Sequence, residues 1–144
     1  MNETPVLIVG GGPVGLALAL GLAQQNVHST LFETKSEIDP HSRALGILPR
    51  TLEIFRGWDI YDRFVSEGEF LSKVRVWIAH RHRPAFEIDL SILKTMTVAD
   101  GILILPQNRT ESLLLECVKA AGRTDVLLGH SVKHIQQDNE GVCV

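Results

Sequence analysis

The stretch Val6-Leu7-Ile8-Val9-Gly10-Gly11-Gly12-Pro13-Val14-Gly15-Leu16 decides how this chain is read. Val6 to Val9 is a short unbroken apolar run ended by glycines, as in a strand buried on both faces. Leu16 to Gln25 is apolar nearly all round a helix, and Asn26 suits a left-handed residue closing it. Ser29 to Glu33 then reads as a second strand. Strand, glycine turn, buried helix and strand in this order predict a βαβ unit with a right-handed crossover.

Within that unit the spacing Gly10-x-Gly12-x-x-Gly15 gives each glycine a task. Gly10 permits the tight turn out of the strand, Gly12 lets backbone approach a pyrophosphate, and Gly15 lets the helix pack on the sheet. Pro13 costs little, because a first-turn N–H has no helical partner to lose. Val14 and Gly15 follow it in the first turn, where free N–H groups and a partial positive charge face an anion. Glu33 lies 18 residues past Gly15, at the end of the second strand. A carboxylate there accepts hydrogen bonds from ribose hydroxyls and repels a 2′-phosphate. The pattern predicts a dinucleotide site selecting an unphosphorylated adenosine ribose.

Further along, Thr34 to Ser42 reads as a polar loop, with helices expected from Pro49 to Arg56 and from Ile60 to Ser66. Val74 to Ile78 and Phe86 to Leu90 alternate apolar and charged residues about the turn His80-Arg81-His82-Arg83-Pro84. They predict an antiparallel hairpin with one wet face. Ile102 to Leu105 is a further strand, and Asn108 to Ala121 an amphipathic helix with Asn108 as N-cap and Glu111 three residues on. Val126 to Leu128, Ser131 to Ile135 and Val142 to Val144 read as strands, the last two joined at Asn139-Glu140-Gly141. The fold class is therefore α/β: a Rossmann-like βαβ unit with an inserted antiparallel hairpin. The ending at Val144, inside an expected strand, reads as that of a fragment.

The 144 residues fit one domain on length alone. Lys+Arg 14 against Asp+Glu 17 gives a net charge of -3, which argues against a basic nucleic-acid grip. No apolar stretch is long enough to span a bilayer, and the first five residues lack the positive charge of a secretory leader. Cys117 and Cys143 form no CxxC pair, so a reducing, cytoplasmic setting is expected. His80 and His82 sit among arginines without a third ligand, His130 and His134 read as surface residues of a strand, and Cys117 as core. No metal site and no catalytic grouping is expected from these residues.

Three blocks resemble the FAD-dependent aromatic hydroxylases, flavoprotein monooxygenases of the para-hydroxybenzoate hydroxylase type. They are Val6 to Leu16, Ser42-Arg43-Ala44-Leu45-Gly46-Ile47 with Arg50 to Phe55, and Leu105-Pro106-Gln107-Asn108-Arg109-Thr110-Glu111-Ser112-Leu113-Leu114, in the family's order. The resemblance implies an FAD-binding domain, N-terminal part only, over 1–144, in which Gly10, Gly12, Pro13, Val14, Gly15, Glu33, Arg43 and Gln107 face the cofactor. It implies that residues 72–92 begin the sheet of a substrate domain. It further implies NADH or NADPH as reductant, and O₂ and a small phenolic or other aromatic substrate as partners. The Asp-Gly and later Gly-Asp blocks of that family are absent from this sequence, which names no catalytic base. The competing expectations are another FAD oxidoreductase, such as an oxidase, and a truncated nucleotide-binding module without activity.

Overall fold

The computed structural model describes residues 4–38, 40, 46–79, 82–139 and 141–144. Two compact units form, one from Met1–His41 with Thr110–Val144 and one from Ser42–Arg109.

In the first unit, β1 (Val6–Val9), α1 (Pro13–Gln24) and β2 (Ser29–Glu33) follow the expected order. The helix starts before its apolar periodicity does, because Pro13 is preset for the first turn and the Gly12 carbonyl accepts the Leu16 N–H at 3.0 Å. Leu16, Ala19, Leu20 and Ala23 recur at helical spacing and are buried, and α1 packs against both strands. Asn26 ends the helix with φ 58°, as its sequence position predicts.

β1 pairs with β2 in parallel from Val6↔Ser29 to Val9↔Phe32. On the other side of β2 lies β8 (Thr124–Leu128), also parallel, from Ser29↔Thr124 to Glu33↔Leu128. Being central, β2 buries Leu31 completely. Buried Ser29 is satisfied by the hydroxyl of Thr124 at 3.0 Å, its register partner.

The second unit holds a three-stranded antiparallel sheet, with β7 (Ile102–Ile104) between β3 (Gly46–Ile47) and β4 (Glu69–Leu71). The helices α2 (Pro49–Gly57) and α3 (Tyr61–Val65) bury Leu52, Phe55 and Phe64. The Phe55 and Phe64 rings lie 4.4 Å apart, and Tyr61 donates its hydroxyl to the Val98 carbonyl at 3.2 Å. The hairpin of β5 (Lys73–Val76) and β6 (Phe86–Asp89) is antiparallel as expected. Arg75 and Lys73 pair with Glu87 on one face, while Val74↔Ile88 and Val76↔Phe86 share the other. Of its turn, His80 and Arg81 lie outside the described residues.

Two expectations need correction. The segment Ser131 to Ile135 is not a strand; β9 (Gln136–Gln137) pairs with β10 (Val142–Cys143) instead. Asp138 donates its N–H to the Gly141 carbonyl and accepts the Gly141 N–H on its carboxylate, both at 3.0 Å. That tight turn draws the paired residues up against it. His130 and His134 are exposed residues outside any strand, and His130 Nδ1 lies 2.8 Å from the Leu128 carbonyl. The helix expected from Asn108 is α4 (Gln107–Ala121), so Asn108 is inside the first turn rather than its N-cap. Cys117 on α4 is buried, as expected of core.

Candidate functional site

The turn after β1 is built from backbone. Gly10 has φ +108°, a conformation open to glycine, and its N–H extends the ladder to the Phe32 carbonyl at 2.8 Å. Gly15 is required by closeness: a Cβ there would stand 1.9 Å from the Gly10 carbonyl oxygen. Gly12 is the N-cap of α1, with φ -73° and ψ -176° and no side-chain cap, and a Cβ placed on it meets nothing within 4 Å. The first turn of α1 carries no acidic residue. An anion can therefore approach its N–H groups without displacing a carboxylate of that turn. Val14 is among the most exposed apolar residues of the chain, at 83%.

Glu33 closes the site at the carboxyl end of β2. Its Oε1 accepts the Lys35 N–H at 2.9 Å and its Oε2 the Gly11 N–H at 2.6 Å. The backbone of this strand end is fixed too: His130 donates to the Glu33 carbonyl and Gly129 to the Lys35 carbonyl, each at 2.9 Å. The hydrogen bond from Lys35 holds the Glu33 carboxyl below its ordinary value of 4.5; partial burial opposes this, and the Gly11 bond reinforces it. Glu33 is thus a carboxylate at neutral pH. The Gly11 and Lys35 bonds take one lone-pair position on each oxygen, the Thr34 backbone N–H also favours the charged form, and a carboxylate's roughly four positions leave acceptor capacity for a hydroxyl ligand.

The fold thus brings together Gly10, Gly12, Pro13, Val14, Gly15 and Glu33 in one unit. Gln107 is the first residue of α4 and belongs to the other unit. Two residues on, Arg109 makes a two-pronged ion pair with Glu67, both contacts at 2.6 Å. Arg43 lies outside the described residues. One participant escaped the sequence reading, Gly11, which the motif leaves as a free position; the run of three glycines was its only signal. Among the described residues no group of three or more His, Cys, Asp or Glu is placed to hold a metal ion. No helix among them is long and apolar enough to cross a membrane.

An N-terminal βαβ unit with an open glycine turn and a carboxylate ending β2 defines a nucleotide-binding protein of the Rossmann type. The chain belongs to the FAD binding domain family, whose model matches residues 3–144. It is 35% identical over 142 residues to the Bacillus subtilis (strain 168) protein named uncharacterized aromatic compound monooxygenase YhjG, covering 99% of this chain and 27% of that one. Among solved structures it is similar to the flavin-dependent monooxygenase PieE in complex with FAD and substrate. The TM-score is 0.85 at 29% identity, over 96% of this chain and 26% of that one. It is likewise similar to p-nitrophenol 4-monooxygenase PnpA from Pseudomonas putida DLL-E4, with TM-score 0.84 and 25% identity over 98% of this chain and 38% of that one. The chain therefore spans about a quarter of the curated relative's length (27%) and has the FAD-binding fold of such monooxygenases.

Proposed function

We propose that residues 1–144 hold the adenosine and pyrophosphate of FAD in a monooxygenase that hydroxylates a small aromatic substrate. The observation that carries this reading is the Glu33 carboxylate, tied by two backbone N–H groups and set beside the uncapped start of α1. Glu33 takes the ribose hydroxyls, Gly12 leaves room for the pyrophosphate, and the N–H groups opening α1 neutralise it. Gly10 and Gly15 shape the turn, and Pro13 and Val14 line the approach. The family resemblance adds Arg43 and Gln107 as cofactor-binding residues.

Bound FAD would supply the redox chemistry, while the chain's own residues bind and orient it. NADH or NADPH is the reductant and O₂ the oxidant. Residues 72–92 begin the sheet of a substrate domain; in support, the hairpin is charged on one face and exposes Phe86 and Ile88 on the other. The named activities of the relatives favour an aromatic substrate over an oxidase's amine or hydroxy acid. A cytoplasmic setting accords with two free cysteines.

Titration of the chain with FAD, followed by quenching of flavin fluorescence with NAD as competitor, tests the reading. Saturable binding that NAD does not displace is expected. Binding of NAD in preference to FAD refutes it.

A further inference from the structure

We propose that Gly11 is a positioning residue, whose backbone N–H and missing side chain together fix the Glu33 carboxylate in the orientation that receives the adenosine ribose. The inference rests on the assignment of Glu33 to that ribose.

Two separate features converge on it. The Gly11 N–H donates to Glu33 Oε2 at 2.6 Å, a short charge-assisted bond. Independently, a Cβ on Gly11 would lie 2.9 Å from Glu33 Cβ and 3.1 Å from its Cγ. The first of these atoms is fixed to the strand and cannot swing away, so a side chain at 11 displaces the stem of Glu33 itself.

An untethered carboxylate beside a helix start turns toward that start's free N–H groups and caps them. Glu33 would then compete with the pyrophosphate for the same donors. Held by Gly11 on one oxygen and by Lys35 on the other, it is kept off the helix start and retains acceptor capacity for the ribose hydroxyls. An N–H pointed at Glu33 is also not aimed at the phosphates. The three glycines thus divide the work: Gly10 turns the chain, Gly11 holds the acid, and Gly12 leaves the space.

The test begins on the unaltered chain. With isotope labelling, the Gly11 amide and the Glu33 side-chain carboxyl are followed by NMR from neutral pH down through the carboxylate range. Both signals are expected to inflect together, below the ordinary carboxylate value. A Gly11 amide that stays still while Glu33 titrates overturns the proposal, whatever the variants do. FAD affinity is then compared for Gly11→Val, Glu33→Ala and the double variant. Gly11→Val is expected to lose roughly tenfold to a hundredfold, the scale of a hydrogen bond to a charged group, and to lose nothing more in the Glu33→Ala background. Additive losses overturn positioning, because Gly11 would then meet the cofactor directly. Should Glu33→Ala leave FAD affinity unchanged while the amide and carboxyl still titrate together, it is the assignment of Glu33 to the ribose that falls.

Discussion

Replacing Gly15 by alanine sets two rules against each other. Gly15 lies inside α1, and alanine in a helix interior is ordinarily the better residue by about 1 kcal/mol. Propensity therefore predicts a gain. The structure predicts a loss, because the new Cβ would stand 1.9 Å from the Gly10 carbonyl oxygen and 3.1 Å from its carbon. A carbon rests against a carbonyl oxygen at about 3.3 Å, so the two segments must part by roughly 1.4 Å. Neither is a flexible side-chain tip: one is the turn leaving β1 and the other the second residue on from the start of α1. Lifting α1 loosens Leu16 and Ala19, both buried against the sheet. Overpacking of this kind costs up to about 3 kcal/mol, and the helical gain of about 1 leaves a net loss near 2 kcal/mol. Urea unfolding followed by far-UV circular dichroism measures it, since Trp58 and Trp77 belong to the other unit and report on that one. The midpoint is expected to fall by about 1 M and the melting temperature by roughly 4–8 °C. An unchanged or raised midpoint would refute the close approach on which the glycine turn is argued.

Gly12→Ala is the converse case: no atom lies within 4 Å of the added Cβ, so stability changes by only about 0.5 kcal/mol, while FAD affinity by calorimetry falls more than about tenfold. A variant that unfolds more readily yet binds FAD normally would contradict both halves. Glu33 has its carboxyl lowered below 4.5 in the folded state, so the stability it contributes is present above that value and is lost as pH falls through the folded one. The difference in urea midpoint between the parent and Glu33→Gln should therefore shrink below pH 4.5, and a constant difference would speak against a tethered carboxylate. Phe64→Ala removes a fully buried ring lying 4.4 Å from that of Phe55, and is expected to cost about 3–5 kcal/mol in the same unfolding assay.

The parts legible in the sequence are those whose signals are local. Four apolar residues, a run of glycines and a helical repeat place β1, α1 and β2 to within a few residues. Pairings at long range left no such mark. β8 joins β2 across 95 residues through the register Ser29↔Thr124, and only the two hydroxyls that meet there hint at it. β3 and β4 have two and three residues, too few for a periodicity, and are strands because β7 lies between them. The same limit acts in the site. Gly10, Gly12, Gly15 and Glu33 follow from spacing, whereas the tether of Glu33 to Gly11 is a contact between two strand ends.

That tether bears on how an acidic chain takes an anionic cofactor. The net charge is -3, and the first lysine or arginine in the sequence is Lys35. Lys35 meets Glu33 through its backbone N–H, and its charge favours the Glu33 carboxylate. Within the glycine turn itself, Gly10 to Gly15, no residue is basic, so the attraction that this turn offers a pyrophosphate comes from the backbone: the open N–H groups of α1 and the alignment of its peptide dipoles. Such partial charges act over about one helical turn, so they serve an anion only where no carboxylate reaches them first. Glu33 is the acid best placed to do so, and two backbone N–H groups hold it aside. Under the proposed assignment, an acid for the ribose and a helix start for the phosphates can therefore sit side by side in one turn.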